Sequence, residues 1–155
     1  MTWRRLAAGL LAACLAAPAE AQSDAEARWA GDWVGAYDCA QGDTGLTLRL
    51  RPRGDGTLDG LFHFWPLARN PDAAEGCFAM RATPAEGPPG GIELVAGRWL
   101  LRPDSYVTVG LQGRLDKDGL FHGGVRGPGC TGFALRRATP PRPQPAACAG
   151  PVALR

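Results

Sequence analysis

Short runs in which apolar and polar residues alternate recur along the chain between residues 31 and 137. In the run from Leu46 to Leu50 every second residue is leucine, and the residues between them are polar. This period of two is typical of a strand with one buried face. Eight such runs, separated by turn residues, predict an all-β fold of about eight antiparallel strands in a meander. Strands in this order can close into a small barrel.

The turn chemistry supports this interpretation. Asp55-Gly56, within Arg53-Gly-Asp-Gly, and Asp118-Gly119 are favoured hairpin dipeptides, so the RGD tripeptide is interpreted as part of a turn. Residues 67–76 and 84–91 are predicted loops, and residues 106–115 are predicted to form one continuous strand. No helical period is found outside the first 21 residues.

The first 21 residues have the pattern of a bacterial secretory signal peptide. Arg4 and Arg5 precede an apolar stretch over residues 6–17, and Ala19-Glu20-Ala21 matches the A-x-A cleavage rule. We therefore expect cleavage after Ala21 and a secreted or periplasmic protein. The mature chain would have a lead-in over 22–30, a barrel domain over 31–137 and a Pro-rich tail over 138–155.

An alternative lies within the same segment. Residues 11–14 resemble a lipobox, which would leave Cys14 lipidated and the protein anchored to a membrane. The mature chain contains no predicted transmembrane segment in either case. The formal net charge of the whole chain is +2, which gives no basic footprint for nucleic acid. Its richness in Arg, Ala, Gly and Pro is typical of high-GC bacterial genes.

Four cysteines remain in the mature chain, and an even number in an exported protein of this size predicts two disulfides. They are Cys39, Cys77, Cys130 and Cys148, and they allow three pairings. No C-x-x-C spacing is present, and His63 and His122 are far apart in sequence. We therefore predict no metal site and no cofactor.

Asp43-Thr44-Gly45 is the tripeptide that carries the catalytic carboxylate of aspartic proteases. Such an enzyme needs two of these loops, so that two carboxylates share one proton. Here the tripeptide occurs once and follows the polar residues Ala40-Gln41-Gly42 instead of an apolar strand. We interpret it as the corner of a β-hairpin, and an aspartic-type hydrolase is a remote alternative.

The other catalytic arrangements are no better supported. The mature chain has two serines, Ser23 and Ser105, and no G-x-S-x-G motif. His63 and His122 are predicted to be partly exposed strand residues. No catalytic residue is therefore predicted.

Large aromatic residues are the best candidates for contact with a ligand. They would either line the mouth of a barrel or pack in its core, and they are Trp33, Tyr37, Trp65, Trp99 and Tyr106.

Two motifs resemble a family of small secreted bacterial β-domains of unknown function. The first, W-x-G-x-Y-x-C-x-Q-G-x-T-G-L-x-L, begins at Trp33, and the second, G-C-T-x-F-x-L, begins at Gly129. Trp99, Pro103 and Tyr106 lie between them and also match. The resemblance covers residues 29–137, and no activity is assigned to the family. At the level of fold alone, the predicted barrel is lipocalin-like or protease-inhibitor-like, and it also resembles periplasmic lysozyme-inhibitor barrels.

The resemblance implies that the cysteines of the two motifs, Cys39 and Cys130, are paired. The same pairing is expected if the first and last strands are neighbours in a closed barrel. Cys77 and Cys148 depart from the family pattern and would form a second bridge that folds the tail back across the barrel.

These features together predict an exported, non-catalytic binding module of the bacterial envelope or secretome. Its expected partner is a protein or a small apolar ligand. A structural envelope lipoprotein anchored through Cys14 is the alternative.

Overall fold

A computed structural model of the chain describes residues 19–85 and 90–149. The predicted signal peptide therefore lies largely outside the described residues, as does the middle of the loop predicted at 84–91. The elements are α1 Ala19–Trp29, β1 Gly31–Cys39, β2 Gly42–Pro52, β3 Leu58–Trp65, β4 Gly76–Pro84, β5 Gly91–Leu101, β6 Gly110–Leu115, β7 Phe121–Arg126, β8 Gly132–Arg137 and the 3-10 helix η1 Ala146–Ala149.

The eight strands of the described residues form a closed antiparallel barrel in which each strand pairs with its neighbours in sequence. The first strand, β1, also pairs with the last, β8, from Trp33 opposite Arg137 to Tyr37 opposite Phe133. This pairing leaves neither strand with an unpaired edge. The predicted all-β meander and its closure are confirmed.

The interior of the barrel is filled with side chains through most of its length. The alternating residues of β2, Leu46, Leu48 and Leu50, point inward and are fully buried, as the period of two predicted. Glycines make room for large rings in this small core. At Gly113, an added Cβ would lie 2.7 Å from Phe133 and 2.9 Å from Phe121, so these two rings occupy the space of a side chain there.

One end of the barrel is closed by α1. Residues 22–30 were predicted as a short lead-in, and no helical period in them indicated the helix over Ala19–Trp29. Trp29 at the end of the helix packs against Trp33 and Phe121, with ring centroids 6.1 Å and 4.9 Å away. The Trp33 indole also donates to the Trp29 carbonyl at 2.9 Å. Of residues 24–29, only Glu26 and Trp29 are buried, too few to produce a visible helical period.

Glu26 connects α1 to the hairpin turn between β2 and β3. Its buried carboxylate accepts hydrogen bonds from the backbone N–H groups of Gly54, at 3.0 Å, and Gly56, at 2.7 Å. Both glycines have φ near +80°, where residues with a side chain are strained. The predicted turn at residues 53–56 is confirmed, and it is held by the helix.

Both disulfides have the predicted pairing. Cys39–Cys130 joins the end of β1 to the residues before β8, and Cys77–Cys148 joins β4 to η1. The second bridge holds the tail against the outer face of the barrel, where Cys148 packs with Leu61 and Cys77. A hydrogen bond of 2.7 Å from Arg49 to the Gln144 side chain also attaches the tail.

Two boundaries differ from the prediction. The strand expected over 106–115 begins only at Gly110, because residues 102–109 form a loop that extends across the end of the barrel. Ser105 in this loop has a φ of 65°, and Val107 is 53% exposed instead of alternating with core residues. The corner of the first hairpin is Ala40 and Gln41, so Asp43 already belongs to β2, opposite Asp38.

We predict that Glu26→Ala lowers the free energy of unfolding by about 1–3 kcal/mol, because the N–H groups of Gly54 and Gly56 lose the buried carboxylate that accepts from them. Denaturant unfolding followed by tryptophan fluorescence measures this change. Asp24→Ala, at an exposed position on the same helix, is the control and should cost little. Equal losses in the two variants would contradict the role of Glu26.

Candidate functional site

The end of the barrel opposite α1 contains a cavity of about 510 Å³. Three connections surround it: the β1–β2 corner, the β5–β6 loop and the residues between β7 and β8. The residues at its rim are exposed, so the cavity opens to solvent; they are Ala40, Ser105, Val107, Pro128 and Gly129. Its volume lies within the range typical of small-molecule sites.

Aromatic rings form the inner wall of the cavity. Tyr106 from the β5–β6 loop stacks on Phe64 of β3, with centroids 5.4 Å apart and planes inclined by 9°. Phe78 of β4 lies beside them and stacks on Phe62 at 4.6 Å. The Tyr106 hydroxyl accepts a hydrogen bond of 3.0 Å from the backbone N–H of Ala74, which fixes the ring against the β3–β4 loop.

Tyr37 supplies a polar group at the wall. Its hydroxyl accepts a hydrogen bond of 3.0 Å from the Gln41 side chain, which also donates to Thr44 at 3.3 Å. Burial and the nearby Tyr106 phenol raise the pKa of Tyr37 well above its ordinary value, against the opposing effect of the hydrogen bonds with Gln41 and Thr44. The phenol is therefore neutral at any physiological pH.

None of the described residues that line the cavity is charged. The wall is completed by aliphatic and sulfur groups, namely Val109 and the Cys39–Cys130 disulfide. Such a surface favours neutral, apolar molecules, because a charged ligand would lose its hydration without gaining a partner.

The five aromatic residues predicted as ligand contacts lie in different places. Tyr37 and Tyr106 line the cavity. Trp99 stands behind it, edge-on to Phe78 with centroids 5.1 Å apart. Trp33 is in the closed end of the barrel. Trp65 is on the outer face, where its ring packs over Gly45.

Three further wall residues, Phe64, Phe78 and Val109, were not singled out by the sequence. Phe64 and Phe78 lie in alternating runs, but nothing in that alternation distinguishes a cavity wall from a filled core. Val109 was assigned to a strand. The sequence did point to three other cavity residues, because Gln41, Cys39 and Cys130 lie in the two motifs that start at Trp33 and Gly129.

Asp43 of the D-T-G tripeptide is on the outside of the β1–β2 hairpin. Its carboxylate accepts from the Arg69 guanidinium, and its backbone carbonyl accepts from Asn70 at 3.0 Å. The Thr44 hydroxyl donates to the Gly42 carbonyl at 2.9 Å. The tripeptide thus joins the hairpin to the β3–β4 loop.

His63 was predicted to be partly exposed, and this is wrong: it is 1% exposed. It does lie on the outer face of β3, but that face is covered by the tail and by the β3–β4 loop, which contains Glu75. Its Nε2 atom is 2.8 Å from a Glu75 carboxylate oxygen, and Glu75 is also 3.6 Å from Arg142 of the tail. His122, by contrast, is partly exposed as predicted.

In the parts of the chain that the structure describes, no helix has the length and apolar character needed to cross a membrane. Over the same residues, no three His, Cys, Asp or Glu side chains come together in a group that could hold a metal ion.

Comparison with known proteins gives no further assignment. No family model matches the chain, and neither the curated proteins nor the solved structures give a match. The resemblance to secreted bacterial β-domains therefore stays a prediction, and the functional argument depends on the cavity.

We predict that Tyr37 ionises only well above pH 10. Tyr106→Phe leaves Tyr37 as the one tyrosine of the chain, so phenolate absorbance at 295 nm reports on it alone. The unfolded state loses this proton near pH 10 while the folded state keeps it, so the free energy of unfolding falls as the pH rises above 10. The variant in denaturant is the control. Identical titrations of the folded and denatured variant would contradict the burial of Tyr37.

Proposed function

We propose that the protein is a non-catalytic binding module that takes a small, neutral, apolar molecule into the open end of its barrel. The observation that carries this proposal is the 510 Å³ cavity with an aromatic wall and no charged lining residue. Exposed apolar concavities are uncommon on soluble proteins unless they bind something.

The shape of the wall favours a ligand with a flat ring. Tyr106 and Phe64 are stacked nearly parallel and present aromatic surface beside the space, and rings prefer to pack in stacked or edge-on arrangements. Gln41 and the neutral Tyr37 hydroxyl are the polar groups best placed to orient one hydrogen-bonding atom of the ligand.

We further propose that the module is exported. Two disulfides fit an oxidising compartment, and the signal-like first 21 residues supply a route to it. Cleavage after Ala21 would retain Glu26 and Trp29, the residues through which α1 closes the barrel. Lipidation at Cys14 would retain them too. Intact-mass analysis of the exported protein distinguishes the two routes.

A second candidate is binding of a protein loop at the same end, as in inhibitor barrels. It is favoured by the exposed apolar rim, where Val107 and Pro128 flank the opening. Both candidates use the same mouth, but only the first fills the cavity with a small molecule.

We predict saturable, one-to-one binding of N-phenyl-1-naphthylamine, a neutral aromatic fluorophore, to the purified protein. Val107→Asp places a charge at the mouth and should weaken the affinity at least about tenfold, or about 1.4 kcal/mol. Val95→Asp is the matched control, because Val95 is similarly exposed, at 60% against 53%, but lies away from the cavity on β5. Fluorescence titration measures all three proteins.

Absence of saturable binding to the folded protein would contradict the proposal, as would equal losses in the two aspartate variants. A protein that pulls down with the wild type but not with Val107→Asp, in the absence of fluorophore binding, would favour the second candidate.

A further inference from the structure

The two disulfides occupy very different surroundings. Cys77 and Cys148 are 0% and 1% exposed, and the tail packs over them. Cys39 and Cys130 form part of the cavity wall, and Cys130 is only partly buried. Exchange of a disulfide requires a thiolate to reach one of its sulfur atoms. The Cys39–Cys130 bridge should therefore react more readily than the covered Cys77–Cys148 bridge.

We propose that Cys39–Cys130 is an exchangeable disulfide that small thiols attack through the open end of the barrel. The site does not depend on the ligand proposed above, since it needs only the open mouth. Cys130 is the sulfur attacked, because it is the more exposed partner and lies in the loop at the rim, next to Gly129. Cys39 at the end of β1 is 8% exposed.

The exchange is balanced as follows. A small thiolate bonds to Sγ of Cys130, the Cys39–Cys130 bond breaks, and Cys39 leaves as a thiolate that takes a proton from water. A second small thiolate then attacks the small-molecule sulfur of the mixed disulfide. This step releases Cys130 as a thiolate and forms a disulfide between the two small thiols. The thiol is oxidised and the protein bridge is reduced.

Reduction of this bridge would change the contacts at the mouth of the cavity. Between Cys130 and the first residues of β8, Thr131 donates its backbone N–H to the Asp38 carbonyl at 3.0 Å, and the Cys130 N–H is bonded to Gly127 at 3.3 Å. The bond to Gly127 lies within the rim loop itself. Two hydrogen bonds from Thr131 to Asp38, one from its backbone N–H and one from its hydroxyl at 3.0 Å, therefore join the loop to β1 when the bridge is open. Reduction should therefore loosen the loop that carries Pro128 and Gly129 without opening the five-pair β1–β8 register.

A negative charge lies one residue from the bridge, and we expect it to make the attack sensitive to the charge of the thiol. The exposed carboxylate of Asp38 accepts from the Thr131 hydroxyl at 3.0 Å, and these two residues are the immediate neighbours of Cys39 and Cys130. A thiol with an additional negative group should be repelled more than an uncharged one.

The test uses the wild-type protein treated with 2-mercaptoethanol under native conditions, with time points alkylated and mapped by mass spectrometry. Cys77–Cys148 in the same molecule is the internal control. We expect Cys39–Cys130 to open at least about tenfold faster, at a rate that rises with thiol concentration, with the mixed disulfide on Cys130. The proposal would be overturned if the two disulfides opened at equal rates or if Cys77–Cys148 opened first. It would also be overturned if opening of Cys39–Cys130 were limited by unfolding of the protein, or if the mixed disulfide formed on Cys39.

Asp38→Asn provides a second measurement, in a variant whose side-chain oxygen can still accept from the Thr131 hydroxyl. It should speed attack by 2-mercaptoethanesulfonate by about twofold to threefold relative to 2-mercaptoethanol, because one repulsive charge near the site is removed. The same acceleration for both thiols would mean that the attack takes place away from Asp38, and would contradict exchange at the Cys39–Cys130 bridge.

Discussion

The pairing of β1 with β8 is the contact on which the rest of the structure depends. It closes the sheet, and so turns the alternating leucines of β2 and the rings opposite them into an enclosed core. This seam between β1 and β8 is stabilised at both ends. At the closed end Arg137 lies over the Trp33 ring at 4.4 Å and donates to the carbonyls of Ala30 and Arg28. At the open end the Cys39–Cys130 bridge joins the two strands.

The two ends of the barrel are used differently, and this asymmetry follows from what covers them. At one end α1 brings Trp29 into the core and fixes a hairpin turn through Glu26. At the other end three connections surround the space without filling it, and aromatic side chains from β3 and β4 are left facing a cavity. With one end filled and the other open, a small barrel has room for a ligand without losing its core.

The sequence was sufficient for the strands, the barrel and both bridges, because strand alternation and turn dipeptides are local signals and closure then brings the cysteine motifs together. It was insufficient where a distant segment decides the outcome. The outward position of His63 was predictable from its alternation with Phe62 and Phe64, but its burial depends on Glu75 and the tail. The cavity depends on a loop that replaces the expected start of a strand. Two of the five predicted aromatics, Tyr37 and Tyr106, line it.

Strand pairing across the seam can be measured directly by nuclear magnetic resonance. The register places Val34 opposite Arg136 and Ala36 opposite Ala134, so nuclear Overhauser effects should connect the backbone protons of β1 with those of β8 in this order. The amide protons of the seam should also exchange slowly with solvent. The account would be contradicted if nuclear Overhauser effects joined β1 to β2 but not to β8, and if the amide protons of β1 and β8 exchanged fast. That result would mean an open sheet, without the barrel, its cavity or the position of the rim disulfide.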